Sequence, residues 1–192
     1  MKSICIFGAS TTWGAWDKEK GSWVNRLNLY LNKNDFIEVY NLGISGDKTS
    51  DLLKRFLPEV KAREPNIITF AVGGNDFAYD TSKRKIRVQS EKLKENIQKL
   101  INQAKFFTNK IIFLGSTEID ESKTTPVSWN KNTYYTNKSR KDLDLILKQL
   151  CQKNKLYFLP LFDTLTNLDL EDGLHPNSHG HRKIFLMKNR FL

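Results

Sequence analysis

The sequence predicts an α/β fold, an open and mainly parallel sheet with helices on both of its faces. Three observations lead there. Short runs that are apolar on nearly every residue are bounded by Gly, Asn or Pro, as strands buried on both faces are. Longer stretches between them repeat apolar residues at helical spacing. The two patterns alternate from end to end, with no internal repeat and no linker. The 192 residues fit one domain over 1–192, long enough to bury roughly 70% of the unfolded chain's surface.

The strand-like runs are residues 3–7, 37–42, 67–72, 111–114 and 156–159. After the first, Trp23, Val24, Leu27 and Leu31 form one helical stripe. After the second come Leu52, Leu53, Phe56, Leu57 and Val60, with Thr49 or Ser50 as the expected N-cap. Leu93, Ile97, Leu100, Ile101 and Ala104 follow the third, and Leu143, Ile146, Leu147 and Leu150 the fourth. A last helix is expected over 178–189. Residues 116–135 form the longest irregular stretch, and so long a loop in a compact domain is usually a lid or a pocket wall. With right-handed crossovers, ligands should bind outside the carboxyl ends of the strands.

Hydrophobic residues make up 39% and charged residues 27% of the chain, ordinary globular values that exclude overall disorder. The formal charge of +10 is unusual. It is spread out: residues 1–96 hold 16 Lys+Arg against 12 Asp+Glu, and residues 97–192 hold 15 against 9. The densest run, Lys83, Arg84, Lys85 and Arg87, has no interleaved aromatics and reads as a solvated face, so no nucleic-acid partner is expected. No apolar run approaches the roughly 18–20 residues of a membrane span, so stable membrane insertion is not expected. The N-terminal apolar stretch is too short for a signal peptide and reads as a strand, which makes the cytoplasm the expected location. Cys5 and Cys151 fit no disulfide framework or zinc spacing and read as small buried hydrophobes.

Chemistry concentrates after the strands. The first run ends in Gly8-Ala9-Ser10, the second in Gly43-Ile44-Ser45-Gly46-Asp47, and the third in Gly73-Gly74-Asn75-Asp76. Beyond the fifth comes Asp172-Gly173-Leu174-His175. In a parallel sheet all four reach one rim. A serine hydroxyl needs a base to take its proton, and an imidazole needs a carboxylate to fix its tautomer. Asp172 and His175, three apart in a turn, can meet side by side. The oxyanion formed on attack needs donors, for which the N–H groups of Ser10 and Gly46 and the Asn75 amide are the candidates.

These blocks resemble those of the SGNH (GDSL-like) hydrolase superfamily over roughly residues 2–190. The match places that family's serine at Ser10, its glycine at Gly46, its asparagine at Asn75, and its Asp-x-x-His pair at Asp172 and His175. The resemblance implies a flavodoxin-like three-layer α/β/α sandwich with five parallel strands. It also implies hydrolysis of a small-molecule acyl ester through a serine acyl-enzyme, with no metal and no cofactor. A thioesterase or lysophospholipase of the same fold, or a non-catalytic ligand-binding member, are the alternatives. The family's usual Asp before the serine is Ala9 here, which bears on how the turn is braced. No Gly-x-Ser-x-Gly elbow surrounds Ser10, against an α/β-hydrolase fold.

Trp13, Phe77 and Trp129 are candidate pocket walls. His179 and His181, which with His175 fit no common zinc pattern, are expected as surface or helix-start residues. Residues 3–17, 34–47, 64–82 and 156–181 contain no Lys or Arg, and these windows hold every block. Oligomeric state is not legible in the sequence.

Overall fold

A computed structural model describes residues 2–187. In chain order its elements are β1 (Lys2–Gly8), α1 (Ser10–Trp13), α2 (Trp23–Asp35), β2 (Ile37–Gly43), α3 (Thr49–Lys61) and β3 (Ile67–Ala71). They continue with β4 (Tyr79–Asp80), β5 (Lys85–Ile86), α4 (Ser90–Ala104), β6 (Ile111–Leu114), α5 (Glu121–Thr124) and β7 (Thr133–Tyr134). The chain then forms α6 (Asn137–Asn154), β8 (Tyr157–Leu159) and α7 (Ser178–Leu186).

Five strands pair in the order β2-β1-β3-β6-β8, all parallel. The central strands are buried on nearly every residue, as their unbroken apolar runs require, whereas the edge strands β2 and β8 are only partly buried. Alternate residues serve opposite faces. Cys5 and Phe7 of β1 look toward Leu52 and Phe56 of α3, Leu93 and Ile97 of α4, and Leu143 and Leu147 of α6. Ile4 and Ile6 look the other way, toward Trp23, Val24 and Leu27 of α2 and Ile184 of α7. The result is a three-layer α/β/α sandwich. Phe7, Phe56, Phe70 and Phe113 stack through the first core at centroid separations from 4.9 to 5.8 Å. Offset and tilted contacts of this kind add to simple area burial.

The chain runs from β1 out to β2 and then back past β1 to β3. Strand order therefore reverses between β1 and β3, and a crevice opens at their carboxyl ends. That crevice positions the site.

Some details depart from the sequence expectation. Thr49 is the first residue of α3 and not its cap, because its hydroxyl and N–H are both taken by the distant Asp76 carboxylate. Residues 116–135 are not wholly irregular. They carry α5 and the short β7, which joins β4 and β5 in a small antiparallel sheet. The last helix is seen to Leu186; residues 188–189 of the expected span lie outside the described residues. No helix among the described residues is long and apolar enough to cross a membrane. Cys5 and Cys151 are free and buried, and burial pushes each thiol up to about 12.

Candidate active site

Ser10 follows β1 directly and opens α1, so its N–H has no intrahelical partner. Ala9, where the resemblance would place an aspartate, contributes no side-chain cap to this helix. The Ser10 Oγ lies 2.9 Å from His175 Nε2. On the far side of the ring, His175 Nδ1 lies 2.7 Å from Asp172 Oδ2. The other Asp172 oxygen accepts the N–H groups of Leu174 (2.9 Å) and His175 (2.8 Å). Burial works to raise the Asp172 pKa. The ring and backbone hydrogen bonds, with the charge of His175, outweigh it and hold the carboxyl at about 2. An ionised Asp172 can only accept, so Nδ1 carries the imidazole proton and Nε2 is left to receive one from Ser10.

The turn that sets this pair depends on Gly173. Its φ of +86° belongs to glycine, and a Cβ there would meet Lys123 Cβ at 2.6 Å. The long loop after β6 thus packs under the turn, and Asp120 N–H also donates to Gly173 O at 2.9 Å. Farther along the same loop, Trp129 lies beside the imidazole at a centroid distance of 5.6 Å. Loop 116–135 therefore walls the site.

Of the expected oxyanion donors, Asn75 lines the same cavity as Ser10, whereas Gly46 is not among the residues lining it. Asn75 is held at both ends of its amide. One N–H donates to Asp47 O at 3.0 Å, and its Oδ1 accepts from Tyr135 Oη at 2.9 Å. This leaves the second N–H without a protein acceptor among the described residues. Gly46 sits at φ +85° in the loop after β2. Next to Asn75, the fully buried Asp76 accepts the N–H (3.0 Å) and hydroxyl (2.6 Å) of Thr49. It ties the loop after β3 to the start of α3. Burial, opposed by the Thr49 hydrogen bonds, pushes its carboxyl up to about 6.

Ser10, Asn75 and His175 open onto a cavity of about 90 Å³, whose walls include Gly74, Ser116 and Arg140. Of the expected wall residues, Trp129 stands at the imidazole, and Trp13, at the end of α1, is exposed. Phe77 is a correction. It does not line this cavity but turns into the core against α3 and α4, the chain having reversed after Asn75. His181 lies at the helix start, one of the two expected places, and is fully buried there rather than on the surface. Its Nδ1 accepts from Trp23 N–H at 3.2 Å and its Nε2 donates to Ala15 O at 2.9 Å. His179 pairs with Asp169 at 2.7 Å, as an exposed helix-start residue. Among the described residues, no three His, Cys, Asp or Glu side chains form a group that could hold a metal.

Sequence reasoning missed Trp16, whose indole N–H donates to Asp172 Oδ2 at 2.9 Å. It missed Tyr135 and Arg140 as well. None lies in a motif, and each reaches the site only through the fold.

A parallel three-layer sheet with Ser, His and Asp hydrogen-bonded in series at its carboxyl rim is the layout of an acylhydrolase. The chain belongs to the GDSL-like lipase/acylhydrolase family, whose model matches residues 6–183. Among solved structures, it is similar to an acetyl-xylooligosaccharide esterase from Geobacillus stearothermophilus. That likeness has a TM-score of 0.78 and 20% identity, covering 99% of this chain and 93% of that one. It is also similar to a lipase/acylhydrolase from Enterococcus faecalis, with a TM-score of 0.77, 21% identity and coverage of 100% and 98%. An uncharacterised lipoprotein of Bacillus subtilis, YqeF, is 30% identical over 109 residues. The match takes in 54% of this chain and 44% of that protein, so it spans less than half the length of that relative.

Proposed function

We propose that the protein is a serine esterase cleaving short, carbohydrate-linked acyl esters through an acyl-enzyme on Ser10. The observation that carries this reading is the unbroken hydrogen-bonded series from Asp172 through His175 to Ser10, at 2.7 and 2.9 Å. His175 Nε2 takes the hydroxyl proton as Ser10 Oγ bonds to the carbonyl carbon. The N–H groups of Ser10 and Gly46 and the free Asn75 N–H receive the negative oxygen. His175 then protonates the leaving alcohol as its C–O bond breaks. Water, deprotonated by the same imidazole, attacks the acyl-enzyme and releases the acid with Ser10 restored.

The cavity of about 90 Å³ suits a short acyl group better than a long fatty chain. Three exposed indoles, Trp13, Trp16 and Trp129, stand in the segments that carry or cover the triad, and such faces suit a sugar leaving group. Acetyl-xylooligosaccharides are the substrate named for the Geobacillus relative. Solved variants of that enzyme at a serine, an aspartate and a histidine are described as catalytic mutants.

Ser10→Ala should lower kcat toward a p-nitrophenyl ester of a short acid by several orders of magnitude and abolish labelling by a fluorophosphonate. Turnover unchanged in this variant would end the assignment.

A further inference from the structure

We propose that the pocket beside Ser10 selects acyl groups carrying a second, anionic end, with Arg140 as the residue that reads the charge. The proposal deepens the esterase reading above and rests on it.

Arg140 is the fourth residue of α6 and lines the cavity that Ser10, Asn75 and His175 share. Its guanidinium lies against Gly74, where a Cβ would stand only 3.3 Å from one terminal nitrogen. The glycine beside the oxyanion donor thus leaves room for the cation at the reaction site. Half-buried as a residue, Arg140 has its Nε closed off from solvent and without a hydrogen-bond partner. Among the described residues no side-chain donor of Arg140 makes a hydrogen bond, and no carboxylate lies within ion-pair distance. Asp144, one turn along α6, accepts instead from Ser116 N–H at 2.7 Å. The guanidinium also lies over the ring of Tyr135, 5.8 Å from its centroid, and the charge of Asp144 acts on it from beyond ion-pair distance.

A guanidinium taken from water without a partner is costly, and so is a cation in the first turn of a helix. The first turn of α6 contains no acid to offset it. A five-donor fork facing a cavity is matched by a carboxylate, which it can hold with two parallel hydrogen bonds. The placement also selects the half of the ester. The leaving oxygen must reach His175, whose ring faces the exposed Trp129. The alcohol therefore departs on that side, leaving the pocket of Gly74, Ser116 and Arg140 to the acyl group. A short dicarboxylic half-ester, of the succinyl kind, meets these constraints.

The test compares monoethyl succinate with ethyl butyrate, its neutral counterpart of similar length, by ethanol release. Wild-type protein should favour the succinate in kcat/KM by roughly 10- to 100-fold, the range of hydrogen bonds to charged groups. In Arg140→Gln this ratio should fall to about 1, and Arg140→Lys, a point charge without the fork, should retain part of it. Because no side-chain hydrogen bond or ion pair of Arg140 is lost, Arg140→Gln should melt close to wild type. A drop in Tm with the ratio unchanged would assign Arg140 a structural role and overturn the proposal.

A second pair, carboxymethyl acetate against ethyl acetate, puts the anion on the alcohol. A preference confined to this pair would overturn the acyl placement. Binding to the Ser10→Ala protein reads the subsite without turnover. Monoethyl succinate should bind more tightly than ethyl butyrate, and equal affinities would refute the subsite. Cleavage of butyrate without preference leaves the esterase standing and the subsite refuted. Preferential binding with no cleavage of any ester refutes the esterase.

Discussion

Replacing Tyr135 with Phe removes one oxygen from the protein and should slow catalysis without weakening substrate binding. Tyr135 is buried, and its hydroxyl donates to Asn75 Oδ1 at 2.9 Å. The opposite end of the amide is held by Asp47 O at 3.0 Å. Two tethers fix the plane of this amide, and in the proposed mechanism its remaining N–H receives the oxyanion. With Tyr135→Phe one tether is lost, worth about 0.5–1.5 kcal/mol, or roughly a 2- to 13-fold fall in kcat. A flip of the amide would bring Oδ1 against Asp47 O, so the surviving tether still favours the productive orientation. Losing the donor itself should cost more: Asn75→Ala is expected to lower kcat by about 10²–10³-fold. The measurement is kcat and KM for a short p-nitrophenyl ester in wild type, both single variants and the double variant. If Tyr135 acts through Asn75, adding Tyr135→Phe to Asn75→Ala should cost almost nothing further. Full additivity of the two losses, or a change in KM alone, would refute the reasoning.

Trp16 and His181 give two further expectations. Trp16→Phe removes the indole N–H from the Asp172 oxygen that also holds the imidazole. It should lower kcat roughly 2- to 10-fold and move the acid limb of the pH–rate profile to higher pH; an unmoved limb with full activity would show the contact to be idle. His181 has its pKa lowered from 6.5, chiefly by burial, against the hydrogen bond to Ala15 O. It stays neutral in the folded protein, whereas the unfolded chain gains a proton below 6.5. Its contribution to stability is therefore full above 6.5 and is lost as pH falls toward the folded value. Urea midpoints at pH 7.5 and 5.5 should show His181→Gln destabilised at the higher pH and the gap to wild type narrowed at the lower. A gap independent of pH would contradict this.

The residues legible in the sequence share a physical property. Ser10 and Asn75 sit within a few residues of a strand end, and Asp172 and His175 in one tight turn. Their positions follow from local chain geometry once the parallel sheet is inferred. The strands were legible for the same reason, since burial on both faces removes every polar residue from a short run. Residues placed by long-range packing were not. Trp16 meets Asp172 across 156 positions and Tyr135 meets Asn75 across 60, and no periodicity encodes such distances. Phe77 shows the opposite error. Proximity to Asn75 in sequence made it a wall candidate, but the turn at Asp76 sends it into the core. Thr49 has the residue type of a cap, yet the N-cap of α3 is Lys48, and the Thr49 hydroxyl and N–H are held by Asp76, 27 positions away.

The charge of the chain follows the same division between local and long-range. Every strand-end block lies in a window without Lys or Arg, so along the sequence the excess of +10 looks like an outer coat unrelated to the site. Folding changes that for one residue. Arg140 belongs to a helix rich in lysine, in a region where Lys138 pairs with Asp142 and Lys141 lies over Phe162. Those neighbours face outward while Arg140 turns inward to Gly74. Among the residues lining the pocket, Arg140 carries the one fixed positive charge, and the local field is set by it together with the nearby Asp144. That field also bears on the reaction, since it favours both the oxyanion and any anionic acyl end. A neutral ester would gain only the first of these. Dividing the two contributions requires the paired esters on wild type and Arg140→Gln, because the oxyanion is common to both substrates and cancels in their ratio.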